Sequence, residues 1–244
     1  MITVLSCQVI LITVLSNLQK LIDKSLFLAL LCERRGYMSE TSAETKKKLL
    51  ESAKKEFLEK GFVNASLRTI AANAGVTTGA MYRHFKDKDA FFCALVDEAI
   101  EVTTKAVMTA GVMTHAHSPS PVTKEHRKVE DQVVNEFLDY IYANFDAFTL
   151  LVLKSAGSTH EKFIDEMCDL YTKNCAETFN WMYKQKYAAR KVDEMTVHVL
   201  ASSIINSFVE LISHQVPKKQ AVKFINNIHD FFHYGCINLL EMKI

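Results

Sequence analysis

The stretch from Ser66 to Phe85, SLRTIAANAGVTTGAMYRHF, has the pattern of two short helices joined by a tight turn. Ser66 can cap the first helix, because its side-chain oxygen can accept a hydrogen bond from a backbone N–H in the first turn. Gly75 is placed to end that helix, since glycine enters the left-handed conformation without a steric cost. Thr77 can cap the second helix, and Asp87 can cap the long helix that follows. The stretch therefore predicts a helix-turn-helix unit.

The second helix of this unit has two chemically different faces. Its inner face would hold Ala80, Met81 and Phe85, and its outer face Thr78, Gly79, Tyr82, Arg83 and His84. Small and hydrogen-bonding residues at the front of such a helix permit close approach to a DNA groove. The alternative is a helical hairpin that binds nothing, which would leave the exposed Tyr82 and His84 unexplained.

The longer stretch AGVTTGAMYRHFKDKDAFF resembles the helix-turn-helix motif of TetR-type (tetracycline-repressor-like) regulators. The turn glycine, Tyr82, the pair His84-Phe85 and a lysine-led entry into the next helix all occur in register. The sequence departs from the commonest form of the motif at Ala80 and Met81, where Thr and Leu are frequent. Both changes are conservative for packing, so they bear on sequence preference rather than on DNA binding itself.

The resemblance implies an all-α fold, with a three-helix DNA-binding domain followed by a helical domain for effector binding and dimerisation. The implied DNA-binding residues are Arg68, Thr77, Thr78, Gly79, Tyr82, His84 and Lys88. Thr78 and Gly79 match positions that meet bases or backbone in the groove, whereas Tyr82 and His84 match residues that bond phosphates. Lys88 matches a lysine at the front of the next helix, where its charge and the helix N-terminus both favour a phosphate.

The composition agrees with a helical protein. The 244 residues are 49 % hydrophobic and include three Pro and seven Gly, few enough to favour helices over an all-β fold. The net charge of +1 gives no global basic field. Residues 38–90 nevertheless hold ten Lys or Arg against seven Asp or Glu, a modest local positive charge of the kind expected at a DNA-binding surface.

The sequence gives an enzyme or a metal centre no positive support. The six cysteines, at 7, 32, 93, 168, 175 and 236, form no CxxC pair, and we expect small buried residues, with a thiol switch as the alternative. His229 and His233 have the spacing of a zinc-protease helix, but Asp replaces the Glu and no third ligand follows. We interpret that pair as a polar stripe on a dimerisation helix. We expect no catalytic residues, metal or cofactor.

The chain divides into residues 1–37, 38–90 and 91–244. We interpret residues 1–37, which include a long apolar run, as an over-extended start or a dispensable extension, and expect a protein starting at Met38 to bind DNA. A membrane-associated segment and an amphipathic helix packed on the body are the alternatives. The rival function is accordingly a membrane-tethered helical sensor or interaction protein.

Helical periodicity continues through the rest of the chain. The predicted helices are 41–60, 87–112, 124–144, 147–156, 158–187, 192–215 and 217–242, with a solvated loop over 114–123 that contains His115 and His117. Ser158 and Glu161 form a capping-box pattern, and Pro217 suits a first helical position.

The function that we expect is a cytoplasmic repressor, a homodimer on palindromic double-stranded DNA. A small apolar or aromatic effector would bind between the long fourth helix and the helices after the loop, pull the fourth helix, and change the spacing of the recognition helices. The candidate effector-binding residues are Met108, Phe137, Tyr140, Phe148, Phe179 and Trp181. The candidate dimer-interface residues, on the last two helices, are Ile204, Phe208, Leu211, Phe224, Ile228 and Phe231.

Overall fold

All the regular structure of residues 40–116 and 124–242, the residues that this computed structural model describes, is helical. The helices are α1 Glu40–Asn64, α2 Leu67–Asn73, α3 Thr78–Tyr82, α4 Lys88–Ala116, α5 Lys124–Ala143, α6 Phe145–Thr149, α7 Phe163–Lys184, α8 Glu194–Ser213 and α9 Lys218–Leu239. A π-helical turn, Leu150–Lys154, follows α6 directly. The all-α prediction is confirmed. The predictions for residues 1–37 and for His117 lie outside the described residues.

Contacts along the chain define two units, residues 1–48 and 49–244. The described part of the first unit is the start of α1. The second unit holds the rest of α1 and all the other helices, and the packing described below lies within it.

Gly61 breaks α1 near its end. Its backbone is non-helical, with φ 72° and ψ 170°, as expected where only glycine avoids a steric cost. The break turns Phe62 inward, where its ring stacks on Phe57 at 5.9 Å and meets the edge of Phe92 at 5.4 Å. These three rings join α1 to α4, and the helix end predicted at Gly61 is confirmed.

The predicted caps around the helix-turn-helix are present. Ser66, Thr77 and Asp87 each accept a hydrogen bond from the backbone N–H three residues later, at 3.3, 3.2 and 2.7 Å. Gly75 has a φ of 71°, the left-handed conformation predicted for the turn. Each of these contacts depends on residues close in sequence, so local pattern was enough to find them.

Two buried polar side chains of α1 hold α2 in place. The Ser52 hydroxyl donates to the backbone oxygen of Ile70 at 2.9 Å. The buried Glu56 carboxylate accepts from the backbone N–H of Ser66 and from the Lys60 ammonium, both at 3.0 Å. Because a buried carboxylate is costly unless its oxygens are paired, these bonds specify one position of α2 against α1.

The second half of the chain departs from prediction at two helix starts. Glu161 accepts from the backbone N–H of Gly157 at 3.0 Å, and the Ser158 hydroxyl accepts from that of His160 at 3.1 Å. The capping box predicted at Ser158 is therefore wrong, because these bonds form an irregular turn and α7 begins only at Phe163. Pro217 was predicted to be the first helical residue of α9, but it is the N-cap residue, and the helix begins at Lys218.

Helix α7 packs against α4 on one side and against α8 on the other. The Asn174 side-chain amide on α7 donates to the backbone oxygen of Val107 on α4 at 2.8 Å. On its other side, α8 and α9 form an antiparallel pair, since four residues connect them. Leu138 of α5 and Leu211 of α8 are buried in a shared apolar cluster with Ile225 of α9.

Candidate DNA-binding surface and ligand cavity

The outer face of α3 is solvent-exposed as predicted. Thr78, Gly79 and Arg83 are exposed, Tyr82 is 51 % exposed, and His84 is half-buried. On the inner face Met81 is fully buried, and Phe85 stacks on Phe91 with ring centroids 3.9 Å apart. A short helix anchored from behind by two large apolar side chains therefore presents small and polar groups to solvent.

The other candidate DNA contacts are distributed around this face. Arg68 is exposed in the first turn of α2. Thr77 is exposed as well, but its hydroxyl accepts the backbone N–H of Ala80, so the capping role already uses one of its lone pairs. The DNA-binding roles of all seven residues remain predictions.

Lys88 has contacts within the protein that the sequence did not indicate. Its ammonium donates to the backbone oxygens of Val63 at 2.9 Å and Ala65 at 3.2 Å, and lies 5.0 Å from the centre of the Phe62 ring. The carbonyls at a helix end carry partial negative charge and lack helical partners, so a cation there is stabilising. Two of the three ammonium donors thus tie α4 to the end of α1, and one is left for a phosphate.

A cavity of about 260 Å³ lies among α5, α7, α8 and α9. Its walls are mostly apolar and include Val129, Val133, Val134, Phe179, Met182, Leu200, Ile204, Phe208, Ile228 and Phe232. Concave sites with apolar walls and a few polar groups are typical of small-molecule binding.

The polar groups of the cavity cluster around Glu130. A carboxylate oxygen of Glu130 lies 3.6 Å from His233 Nδ1 and 3.8 Å from His229 Nε2. The other ring nitrogen of His229 is 3.0 Å from a carboxylate oxygen of Asp131. Burial, and then the positive charge of Arg127, lower the pKa of His229 and so favour the neutral form of its ring.

These positions bear on the interpretation of His229 and His233 as a polar stripe on a dimerisation helix. Both residues line the cavity, because the turn of α9 that carries them faces α5. Cys175 and Cys236 also line it, and burial raises their pKa values to about 12 and about 11. Since the thiolate is the reactive form, this environment disfavours the thiol-switch alternative.

One of the six candidate effector residues, Phe179, lines this cavity. Phe137 and Tyr140 instead pack edge-to-face on the buried Phe148, at 6.3 and 6.0 Å. Trp181 packs on Tyr187 at 5.5 Å, and Met108 is 54 % exposed. Among the side chains that the structure describes, none of α4 lines the cavity, contrary to expectation, because α7 lies between α4 and the cavity.

The candidate dimer residues divide between two faces of the α8–α9 pair. Leu211 is buried within the single chain, and Ile204, Phe208 and Ile228 line the cavity. Phe224 and Phe231 point outward and are 37 % and 70 % exposed. Met195, Val199 and Tyr234 are also exposed on these two helices, residues that the sequence analysis did not select. We call Met195, Val199, Phe224, Phe231 and Tyr234 the outer patch.

Residues 49–95 match the model of a known family, described as bacterial regulatory proteins, tetR family. These residues therefore resemble the DNA-binding segment of that family. The match runs from the middle of α1 into α4, so it contains all seven predicted DNA-binding residues. The resemblance inferred from the turn and the recognition helix is confirmed.

A curated relative agrees with this match. The chain is 30 % identical to the HTH-type transcriptional repressor BepR of Brucella suis biovar 1 (strain 1330) in an alignment 115 residues long; the alignment covers 41 % of this chain and 54 % of BepR. The chain thus spans about half the length of that relative.

The structural likeness to solved proteins covers more of the chain but shows the fold alone. The structure of NalD, the secondary repressor of the MexAB-OprM multidrug efflux pump in Pseudomonas aeruginosa, superposes with a TM-score of 0.51. The identity is 18 % over 79 % of this chain and 97 % of NalD. Salmonella enterica GusR gives a TM-score of 0.51 at 16 % identity, over 84 % of this chain and all of GusR.

The contacts of Lys88 lead to a prediction about stability. Replacing Lys88 with Ala removes two charge-assisted hydrogen bonds to carbonyls at the end of α1, and we expect the free energy of unfolding to fall by about 1–3 kcal/mol. Urea denaturation of the full chain measures this change. Lys86→Ala, two residues earlier and highly exposed, is the matched control and should change stability by less than about 0.5 kcal/mol. Equal stability of the two variants would contradict the assigned contacts.

Proposed function

We propose that this chain is a transcriptional repressor that binds palindromic operator DNA as a homodimer, acts in the cytoplasm, and is released by a small-molecule effector. The observation that carries the proposal is the exposed outer face of α3, held rigidly within a segment that matches the tetR family. The match of residues 49–95 to a family of bacterial regulatory proteins, and the similarity to a transcriptional repressor, favour this function over the membrane-tethered alternative.

At the operator, α3 of each subunit enters the major groove. Thr78 and Gly79 occupy the front of the helix, where short side chains permit close approach to base edges. Tyr82, His84 and Arg68 lie beside it and bond phosphates, which fix the register of the protein on the duplex. Two such helices must be separated by about one helical turn of DNA, roughly 34–36 Å, or a multiple of it.

The homodimer forms through the outer patch. α8 is the one helix within residues 40–116 and 124–242 that is long and apolar enough to cross a membrane by length and composition, which is weak evidence for such a role. A protein partner accounts for that composition, because one face of α8 lines the cavity and another exposes Met195 and Val199. Two α8–α9 pairs related by a two-fold axis would cover both copies of the outer patch in a four-helix interface.

The effector occupies the cavity and acts on the DNA-binding helices through α7. Asn174 lines the cavity and also donates its hydrogen bond to Val107 on α4. Since α4 is held to the end of α1 by Lys88, a ligand that displaces α7 alters the position of the whole DNA-binding unit. The apolar walls and the Glu130 carboxylate favour an amphipathic ligand with a cationic or hydrogen-bond-donating group.

The DNA-binding proposal predicts different effects for two substitutions on α3. Thr78→Ala should change the preferred base at one symmetric pair of operator positions, because its methyl and hydroxyl groups face the groove. Tyr82→Phe should weaken binding by about 1 kcal/mol per half-site without changing that preference, since it loses one phosphate hydrogen bond. Both effects are measured by DNA-binding titrations at several salt concentrations. The titrations use an operator selected from random DNA and versions of that operator with single mismatches. If Tyr82→Phe alters base preference and Thr78→Ala does not, α3 lies differently in the groove.

The dimer proposal predicts that Phe231→Asp yields monomers. A charge at the centre of an apolar interface is desolvated without a partner, so association should weaken by several kcal/mol. Light scattering or sedimentation measures the mass, and operator binding should fall with it. Met108→Asp, a comparable change on an exposed residue of α4, is the control and should remain dimeric. A Phe231→Asp monomer with undiminished operator affinity would refute the two-fold arrangement.

The effector proposal predicts that filling the cavity removes the response to ligand. A panel of aromatic and aliphatic ammonium compounds, tested for loss of operator binding, should yield compounds that act on the wild-type protein. Ile204→Trp places a larger side chain in the cavity, and should bind the operator like the wild type but no longer respond. A full response in Ile204→Trp would show that the effector binds elsewhere.

A further inference from the structure

A second cluster of reactive side chains lies at the start of α4, outside the cavity. Cys93 and Asp97 are one turn apart on α4, and His160 comes from the irregular turn before α7. His160 Nε2 lies 3.4 Å from the sulfur of Cys93 and 3.3 Å from a carboxylate oxygen of Asp97. One sulfur, one nitrogen and one oxygen thus lie within 4.8 Å of one another.

The arrangement does not match a nucleophilic Cys–His–Asp triad. In such a triad the acid bonds the ring nitrogen that does not face the nucleophile, and so orients the imidazole. Here the sulfur and the carboxylate both face Nε2 of His160. One proton on that nitrogen can serve one of these partners, whereas a metal ion among the three atoms would bind all of them at once.

Two separations among the three atoms match those of a tetrahedral zinc site. With Zn–S of about 2.3 Å and Zn–N and Zn–O of about 2.0–2.2 Å, tetrahedral angles place sulfur and nitrogen about 3.6 Å apart, and nitrogen and oxygen about 3.4 Å apart. The observed distances, 3.4 and 3.3 Å, are within about 0.2 Å of these values. The third separation, between the sulfur and the carboxylate oxygen, is within 4.8 Å.

We propose that Cys93, Asp97 and His160 form a binding site for a divalent ion of the zinc class. A thiolate and an imidazole select zinc-like ions over magnesium or calcium, which prefer oxygen ligands. Three protein ligands leave the fourth position for water, and the Asp97 carboxylate is well exposed, so the ion has access from solvent.

A neighbouring carboxylate orients the site. Asp89 lies one turn before Cys93 and accepts hydrogen bonds from the backbone N–H of Thr159, at 2.9 Å, and from its hydroxyl. The second oxygen of Asp89 is 3.6 Å from the Cys93 sulfur, which donates to it. These bonds hold Thr159, the residue before His160, against α4. The hydrogen bonds of Asp89 therefore connect the two segments that carry the proposed ligands even before an ion binds.

The position of the site gives metal binding a structural effect. It would join α4 to the turn over residues 155–162, which packs closely on the end of α1. Gly157 in that turn has a φ of 84°, and a side-chain carbon there would lie 2.8 Å from a methyl carbon of Val63. An ion would therefore fix this turn against the start of α4, beside the end of α1. The metal assignment itself does not depend on the repressor function.

The test uses the full chain after treatment with a chelator. Titration calorimetry with Zn²⁺ should show one ion per chain. Co²⁺ should give the charge-transfer band of a thiolate ligand and the visible absorption of tetrahedral cobalt. Failure of the wild-type protein to bind either ion, or cobalt spectra without the thiolate band, would overturn the proposal.

Matched variants locate the ion. Cys93→Ser and His160→Gln should each weaken Zn²⁺ binding by more than about 100-fold, since loss of an outer-shell partner alone costs 10–100-fold. Asp97→Asn, at an exposed position, keeps the test valid if another variant fails to fold by circular dichroism. Cys175→Ser and His198→Gln change the same residue types elsewhere and should bind as the wild type does. Unchanged affinity in folded Cys93→Ser or Asp97→Asn would show that the ion binds at other residues.

Discussion

The orientation of α3, the recognition helix, depends on the packing of α1 against α2 and α4, because α3 is too short to be stable alone. α3 has five residues, well below the length at which an isolated helix is stable in water. Its direction is set by Met81 and Phe85, which are buried against α1 and α4. Those two helices are held together by the aromatic cluster and by the Lys88 ammonium, while Glu56 and Ser52 hold α2. Polar bonds of this kind accept little displacement, so the exposed face of α3 keeps a defined direction.

The features that the sequence predicted correctly depend on neighbouring residues, whereas contacts between distant segments were missed. The caps at Ser66, Thr77 and Asp87 and the turn at Gly75 follow from residues within one helical turn, and all four were found. The contacts of Lys88 with Val63 and Ala65 join residues 25 and 23 positions apart, so no local pattern could indicate them. Cys93 and His160 are 67 positions apart and escaped notice for the same reason.

The last two helices show a second limit of periodicity. α8 and α9 are apolar on more than one side, because one face lines the cavity and another forms the outer patch. A stripe of apolar residues then indicates that a face is apolar, but it does not indicate whether that face lines the cavity or forms the outer patch. Phe208 and Phe231 look alike in sequence, yet one faces the cavity and the other is 70 % exposed. The helices were predicted correctly, whereas the assignment of their faces needed the packing of α5 and α7.

The hydrogen bond from Asn174 to Val107 has a thermodynamic consequence for the ligand itself. If a ligand in the cavity weakens operator binding through this link, the operator must weaken ligand binding by the same factor, because the coupling free energy is shared between the two sites. The affinity measured on free protein would then exceed the affinity on the operator-bound form. Ligand would accumulate first on unbound subunits, so the dose needed for release would rise with the number of operator copies in the cell.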